Sequence, residues 1–407
     1  MSARPMAQPD DHHDADRPTG VEARVAADAK PPPWRNVRVL AWVFQLAALA
    51  LAALIIGILV NNVRVNSANI GIPTDFSFLD QPAGFEIPGN SMRSTQPVRD
   101  AIVQGTLNTL RVVVVGIMAA TVLGTAIGMG RLSGNYLVRT VCRVYVEIIR
   151  NVPLLGLLVF AYLGLVLNAL PPIDDPWQLG SLLIVSNRGL AVPWLVGNPW
   201  ALLGVIVIAA VAGRPVMRWR QRKAAATGAP AQDLLWGGVV FVGLVLVGFL
   251  LVGDQLSTPA VDGRRIDGGI VLQPEYFALL AALVIYTASH IAEIVRGSIQ
   301  AVPRGQFEAA AALALGSWAR MRRIILPQAF RIALPAIGNQ YLNLLKNSSL
   351  GFAVSYFELT KVTTTAIGNR APAVPAYIVL IAIYLSFSLV VSILVNLANR
   401  RLQVVDR

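Results

Sequence analysis

Cysteine and histidine are rare in this chain, and their scarcity excludes several kinds of chemistry. Its 407 residues include one cysteine, Cys142, and three histidines. A single cysteine cannot form an internal disulfide, and the histidines, two adjacent in the first 38 residues and one at His290, give no metal-ligand cluster. The Gly-x-x-x-x-Gly-Lys-Ser/Thr motif that cradles ATP phosphates is missing as well. We therefore expect a protein that is not an enzyme, that holds no metal and that binds no cofactor itself.

Charged residues are also scarce, at 14% of the chain, whereas hydrophobic residues make up 55%. Soluble domains rarely have this balance. A helix needs about 20 apolar residues to cross a hydrocarbon core about 30 Å thick. Blocks of about that length, with little or no charge, occur at residues 39–60, 106–129, 152–170, 196–212, 234–252, 276–294, 334–357 and 377–397. Because alternating ten-residue strands are absent, the sequence predicts an all-α integral membrane protein with about eight transmembrane helices.

The connections between these blocks differ in charge, and this difference predicts the orientation of the chain. Lysine and arginine concentrate before the first block and after the second, fourth, sixth and eighth blocks. Short cytoplasmic loops accumulate these residues, so both termini are expected in the cytoplasm. The net charge of +12 is spread over the loops rather than gathered with aromatics in one domain. We therefore expect lipid head groups as partners, and no nucleic acid.

The chain is expected to have four parts with different roles. They are a disordered cytoplasmic tail at 1–38, a first transmembrane part at 39–172 with an outside segment at 62–104, a segment with two helices at 173–273, and a final transmembrane part at 274–407 with a cytoplasmic loop at 295–333. The cytoplasmic loop is the most informative of these segments.

Two short helices meeting at a turn are predicted in this loop. The alanine-rich stretch after Glu308 favours a helix, Ser317 after Gly316 can cap a second helix, and Pro327 is expected to end it. Two apolar faces follow from helical spacing, and their members are Phe307, Ala310, Ala311 and Ala314 on the first helix and Trp318, Met321 and Ile325 on the second. Arginines 320, 322 and 323 remain free for water or an acidic partner. Such an element predicts docking of a cytoplasmic protein.

The loop resembles the cytoplasmic signature of permease subunits of ATP-binding-cassette importers, which is Glu-Ala-Ala, then a glycine, then Ile-x-Leu-Pro. The residues at matching spacing are Glu308, Ala309, Ala310, Ile324, Leu326 and Pro327, with Ala314 at the usual glycine position and Gly316 two residues later. The resemblance implies a type I importer permease core in the bacterial inner membrane. It also implies a coupling helix that docks on a cytoplasmic ATPase dimer, which carries the ATP and magnesium. A second permease subunit and a periplasmic amino-acid-binding protein would complete the importer.

Flanking segments resemble the polar amino-acid branch of that family, and they are 105–110, 145–155, 286–306 and 343–350. The length and the outside segment are similar to those of general L-amino-acid importer permeases. This resemblance implies translocation of L-amino acids and pairing with a similar but different permease chain. Relative to a compact permease, residues 173–273 are an insertion that contains a two-helix hairpin.

The seventh block carries polar residues that could line a substrate path, namely Asn343, Lys346, Asn347 and Ser348. Ionisable groups inside a span usually face a cavity or a partner, and Lys346 could attract an amino acid's carboxylate. The alternative is bonding between helices or to the second permease. Intrahelical pairing is expected for Glu147 with Arg150 and for Glu293 with Arg296.

An ion-coupled secondary amino-acid transporter is the alternative function. Such a transporter would show intramembrane acids and broken helices in related halves, and it would have no docking loop.

Overall fold

The computed structural model describes residues 36–71, 73–89, 92–195, 199–227, 233–251, 256–263 and 265–402. Nearly all of the predicted tail at 1–38 lies outside these residues. The chain divides into two units, one ending at Thr74 and the other beginning at Asp75. The first unit contains helix α1, Val37–Asn69, whose 33 residues include the first predicted span. The Asn36 side chain caps this helix by accepting a hydrogen bond from the Arg38 N–H at 3.1 Å.

The second unit is mainly helical. Its α-helices are α2 Val98–Gly130, α3 Tyr136–Asn151, α4 Leu154–Ala169, α5 Pro199–Thr227, α6 Asp233–Leu251, α7 Pro274–Gln300, α8 Arg304–Ala312, α9 Ser317–Arg320, α10 Leu326–Asn347, α11 Leu359–Gly368 and α12 Ala373–Leu402. From Phe160 onward, α4 has π-helical hydrogen bonding, and a π-helical turn at Met321–Ile325 joins α9 to α10. Short 3₁₀-helices lie at Ser77–Asp80 and Ser348–Val354.

Four helices are long and apolar enough to cross a membrane, namely α1, α2, α7 and α12. Helices α3 and α4 qualify together as a fifth span, bent by 107° at a break that contains Pro153. Proline has no N–H and disfavours helical geometry in the residue before it, which accounts for the break. The other three predicted spans fall on α5, α6 and α10, which do not meet this length and apolarity within the described residues. The count of about eight spans therefore stays a prediction.

Helices α2 and α7 pack closely along their length. A side-chain carbon at Gly124 would lie 2.8 Å from the Ala288 carbonyl oxygen, and one at Gly128 would lie 2.8 Å from that of Ala292. Glycines four residues apart let two helix backbones approach each other, as in the small-residue interfaces of membrane helices. The buried residues of this contact continue into α10 and form the largest core cluster.

The segment before α2 packs on the end of the helical bundle. Phe78, Ile87 and Met92 are buried there with Leu359 and Val362 of α11. A cluster of apolar side chains thus fixes the predicted outside segment against the start of α2, so this part of the segment is not a free loop.

The segment at 173–273, predicted to be an insertion, contains short strands in addition to helices α5 and α6. Strands β1 Trp177–Gln178, β2 Ile184–Ser186, β3 Gly189–Val192 and β8 Ile270–Leu272 form an antiparallel sheet in that order, and β4 Trp194–Leu195 with β5 Leu256–Ser257 and β6 Ala260–Asp262 with β7 Arg265–Asp267 form two pairs. Leu190 lies opposite Leu272, so the sheet joins the two ends of the insertion. Strands of two to four residues are too short to give a periodic signal, and they were not predicted from the sequence.

Candidate functional site

The predicted docking loop forms two short helices, α8 and α9, with a turn between them. The turn is a Schellman motif, in which the Leu315 N–H bonds the Ala310 carbonyl at 3.2 Å and the Ala314 N–H bonds the Ala311 carbonyl at 2.9 Å. Ala314 has φ +53°, the left-handed conformation that this position of the motif requires. An alanine therefore holds the conformation that a glycine adopts most easily, at the position where the resemblance expects glycine.

Two local expectations for this loop were wrong. Ser317 does not cap α9, because Gly316 is the N-cap residue with φ −58° and ψ 153°, and no side chain caps this end. Pro327 does not end the helix, because it lies in the first turn of α10, and the helical path continues from Ser317 through the π-helical turn. The π-helical turn directly before Pro327 changes the local hydrogen bonding, and such a turn accommodates a proline inside a helical path.

One side of the loop is anchored to the helical core. Ala310 and Ile325 are fully buried, and Phe307, Met321 and Ile324 pack against the core cluster that continues into α7 and α10. The Gln328 amide adds a polar link, because its Nε2 donates to Gln306 Oε1 at 3.1 Å and to the Ile324 carbonyl at 3.0 Å. These contacts fix α8 relative to the start of α10.

The other side of the loop presents large side chains to solvent. Trp318 is 73% exposed and Leu313 is 72% exposed. Of the predicted apolar stripe, Trp318 is exposed, Met321 is partly buried and Ile325 is fully buried. Glu308, Arg322 and Arg323 are exposed on the same loop. Among the remaining signature residues, Ala309 and Pro327 are exposed and Leu326 is partly buried.

A cluster of charges lies where three helices end. The Glu293 carboxylate on α7 binds Arg296 of its own helix and Arg131 at the end of α2. Arg150 at the end of α3 lies 3.9 Å from the same carboxylate. The predicted Glu293–Arg296 pair is confirmed. Among the described ion pairs Arg150 contacts Glu293 and not Glu147, so that predicted pair was wrong. One carboxylate thus joins three helix ends.

The four residues predicted for a substrate path differ in their exposure to solvent. Asn343 and Lys346 are exposed on α10, and Asn347 is partly buried at its end. Ser348 is fully buried, and its hydroxyl donates to the Leu345 carbonyl at 2.7 Å, within its own helical segment. Ser348 therefore has a local structural role, and the exposed side of α10 carries the other polar groups.

Arg111 is a candidate functional residue that the sequence analysis missed. It lies inside the predicted span 106–129, on α2, and it lines a cavity of about 580 Å³ together with Asn108 and Tyr276. The sequence does contain a signal for this residue, because a single charged residue inside an apolar block indicates a functional position. Only the fold could show the cavity, because its walls come from distant parts of the chain.

Comparison with known proteins agrees with these features. The family described as binding-protein-dependent transport system inner membrane component matches residues 112–404. The chain is 38% identical to the general L-amino acid transport system permease protein AapQ of Rhizobium johnstonii, over 92% of this chain and 94% of that protein. It is 38% identical to the putative amino-acid ABC transporter permease protein YhdX of Escherichia coli, over 91% and 96%. A glutamate/glutamine/aspartate/asparagine transport system permease protein of Rhodobacter capsulatus, BztB, is 33% identical over 91% and 96%.

Proposed function

This chain belongs to the family of binding-protein-dependent transport system inner membrane components, and we propose that it moves L-amino acids across the bacterial inner membrane as the permease subunit of an ATP-driven importer. The substrate class is supported by relatives that are named for amino-acid transport and that match along more than nine tenths of this chain. The chain has no ATP-binding loop of its own, so the energy comes from another subunit.

The observation that carries this proposal is the two-sided structure of the loop at 304–326. Its inner side is buried against α7 and α10, whereas Trp318, Leu313 and Glu308 are exposed on its outer side. Large exposed apolar side chains beside charged ones are typical of a protein interface. A loop fixed to the helices on one side and free on the other can transmit a movement of its partner to the spans.

The partner that fits this loop is a cytoplasmic ATPase dimer, which binds ATP and magnesium. Closure of the ATPase dimer around ATP pulls the two loops of the permease pair together. Because Ala310 and Ile325 are packed into the core, the loop moves with α7 and α10 as a rigid body. The spans then tilt from an inward-open to an outward-open arrangement, which is a hinge-type transition.

Two further partners complete the importer. A second permease, similar to this chain but different from it, forms the other half of the path, and a periplasmic amino-acid-binding protein delivers the substrate. The basic connections support an orientation in which both termini and the docking loop face the cytoplasm. The segment before α2 then faces the periplasm.

Along the path, the exposed side of α10 carries Asn343 and Lys346, with Asn347 at its end. Lys346 has no ion pair within the described residues, so its charge is available to a carboxylate that passes along this surface. Ser348 contributes by holding the end of α10 through its bond to Leu345.

Reconstitution tests the proposal. The permease pair, the ATPase and the binding protein are placed in proteoliposomes, and uptake of radiolabelled L-amino acids is measured. We expect uptake that needs both ATP and the binding protein and that persists when ionophores collapse all ion gradients. Uptake by the chain without the ATPase, abolished by an ionophore, would contradict the proposal and would identify an ion-coupled secondary transporter.

A further inference from the structure

Arg111 lines a cavity and carries a charge that the proposed function does not explain. A space of about 580 Å³ lies between α2, the start of α7 and the strands of the inserted segment. Helix α2 contributes Gln104, Asn108 and Arg111, and the inserted segment contributes Trp194 and strand β8. Cavities of roughly 300 to 1,000 Å³ are typical of small-molecule sites.

Among the described residues that line this cavity, Arg111 is the only charged one. Within the part of the chain that the structure describes, it has no acidic partner. Its Nη1 donates a weak hydrogen bond of 3.5 Å to Asn108 Oδ1. An arginine inside a span costs roughly 2.5 to 3.5 kcal/mol on insertion scales. A cation in this position therefore needs a ligand or a partner that its own chain does not supply.

The polar wall around Arg111 is held in place by hydrogen bonds. Asn108 is buried, and its Nδ2 donates to the Phe357 carbonyl at 2.8 Å while its Oδ1 accepts from Gln104 Nε2 at 3.1 Å. The Tyr356 hydroxyl donates to the Asn108 carbonyl at 3.4 Å. A side chain fixed in this way can orient a ligand without first losing its own conformational freedom.

Aromatic rings also line the cavity. The rings of Tyr276 and Tyr356 are 5.6 Å apart and tilted by 55°. Trp194 and the residues of β8 extend this wall from the inserted segment. The combination of one guanidinium, fixed amides and apolar walls suits a small molecule with one carboxylate and a partly apolar body, because the planar guanidinium binds a carboxylate through two parallel hydrogen bonds.

We propose that this cavity is an outer binding site for the transported amino acid, in which Arg111 binds the substrate's carboxylate and the inserted strands form one wall. The inference rests on the proposed function and deepens it, since the cavity faces the periplasm in the proposed orientation. It also gives the insertion at 173–273 a role, which is to close the side of the cavity opposite α2.

Thiol protection in the assembled importer tests this site. Cys142 is the only cysteine of the chain, so Cys142→Ser gives a background without thiols. In that background Val115→Cys places a reporter in the cavity lining, one helical turn from Arg111. The complex is held in nanodiscs, and mass spectrometry follows the rate at which N-ethylmaleimide modifies the reporter as the L-leucine concentration rises.

We expect L-leucine to slow the modification when Arg111 is present. With Arg111→Ala, half-maximal protection should need about tenfold more L-leucine or more, because a charge-assisted hydrogen bond is lost. For Arg111→Lys, half-maximal protection should need an intermediate L-leucine concentration. Arg99→Ala is the matched control, since it removes a cation of the same helix that is exposed and paired with Asp80, and it should protect normally. Leucinamide, which lacks the carboxylate, should not protect.

Other outcomes overturn the proposal in different ways. Protection that does not depend on Arg111, or no protection at all, would exclude the site. ATP hydrolysis by the same complex is measured in parallel, and if the binding protein still stimulates it, the importer assignment is unaffected. Protection that increases with the content of anionic lipid in the nanodisc, and not with the L-leucine concentration, would show that Arg111 binds a lipid phosphate instead. Loss of stimulated hydrolysis in the complex with the unaltered chain would instead contradict the proposed function itself.

Discussion

The hydroxyl of Tyr384 donates a hydrogen bond of 2.9 Å to the buried carboxylate of Glu358, and this bond joins α12 to the start of α11. The same carboxylate caps α11, because it accepts hydrogen bonds from the N–H groups of Thr360 and Lys361, each at 2.8 Å. Glu358 thus satisfies three donors at once and is itself fully enclosed. Its role is to hold the last span against the end of the bundle.

Removal of this carboxylate should destabilise the protein. Glu358→Ala leaves the N–H groups of Thr360 and Lys361 without an acceptor, and it leaves the Tyr384 hydroxyl only its contact of 3.3 Å with Thr360 Oγ1. The cost is about 1–3 kcal/mol for an unsatisfied buried group and about 1 kcal/mol for a lost cap. We expect a clear fall in the melting temperature of the solubilised protein, and a smaller fall for Glu358→Gln. Glu147→Ala, which removes an exposed acid, is the control. Equal melting temperatures for Glu358→Ala and this control would contradict the role.

The left-handed backbone conformation of Ala314 predicts different effects for two substitutions in this turn. Ala314→Gly should stabilise the turn by roughly 1 kcal/mol, because an L-residue in this conformation is strained by about 1–2 kcal/mol. Hydrogen exchange of a peptide covering the loop should therefore become slower. Gly316→Ala should leave exchange unchanged, since Gly316 has an ordinary φ of −58° and no atom lies within 4 Å of an added side-chain carbon. Faster exchange in Ala314→Gly would show that the turn has another conformation.

Trp318 should contribute to ATPase binding and not to stability. A tryptophan that is desolvated at an interface commonly contributes 2 kcal/mol or more, so Trp318→Ala should weaken ATPase binding by roughly thirtyfold. Its melting temperature should not change, because the side chain is 73% exposed. Trp177→Ala is the matched control, since Trp177 is 62% exposed but lies on β1 in the insertion. Surface plasmon resonance with the immobilised permease measures both variants. Equal affinities would place the ATPase elsewhere.

The charge cluster around Glu293 predicts a dependence on salt. Glu293→Ala leaves Arg131, Arg150 and Arg296 together without an acid, which should lower the free energy of unfolding by roughly 1–3 kcal/mol. Because the loss comes partly from repulsion between cations, added salt should restore part of the stability. Glu86→Ala, at an exposed acid in the segment before α2, should show neither effect. Melting curves at low and high salt provide the measurement, and a loss independent of salt would point to packing alone.

The features that the sequence predicted well are those that depend on local composition. Runs of apolar residues located α1, α2, α7 and α12, because a span needs only length and a lack of charge. The Glu293–Arg296 pair followed from helical spacing in the same way. The loop at 304–326 also has its two helices where the alanine-rich stretch and the Gly316 break predicted them.

The features that the sequence missed depend on contacts between distant residues. Spacing places Trp318 on one stripe with Ile325, but it does not show that Trp318 is exposed while Ile325 is buried. The cavity beside Arg111 needs residues 194 and 270–273 to fold back onto α2, and no local pattern indicates that contact. Pro327 suggested the end of a helix, whereas the helical path continues past it because a π-helical turn at Met321–Ile325 precedes it.

The central claim is that this chain is driven by a separate ATPase through the loop at 304–326. Co-purification from the native membrane under gentle detergent conditions, with bound proteins identified by mass spectrometry, tests it most directly. The account predicts recovery of an ATPase with the unaltered chain and loss of that ATPase when the loop sequence is scrambled in a variant that still inserts. A chain that purifies stably alone, or an ATPase that stays bound to the scrambled variant, would contradict it.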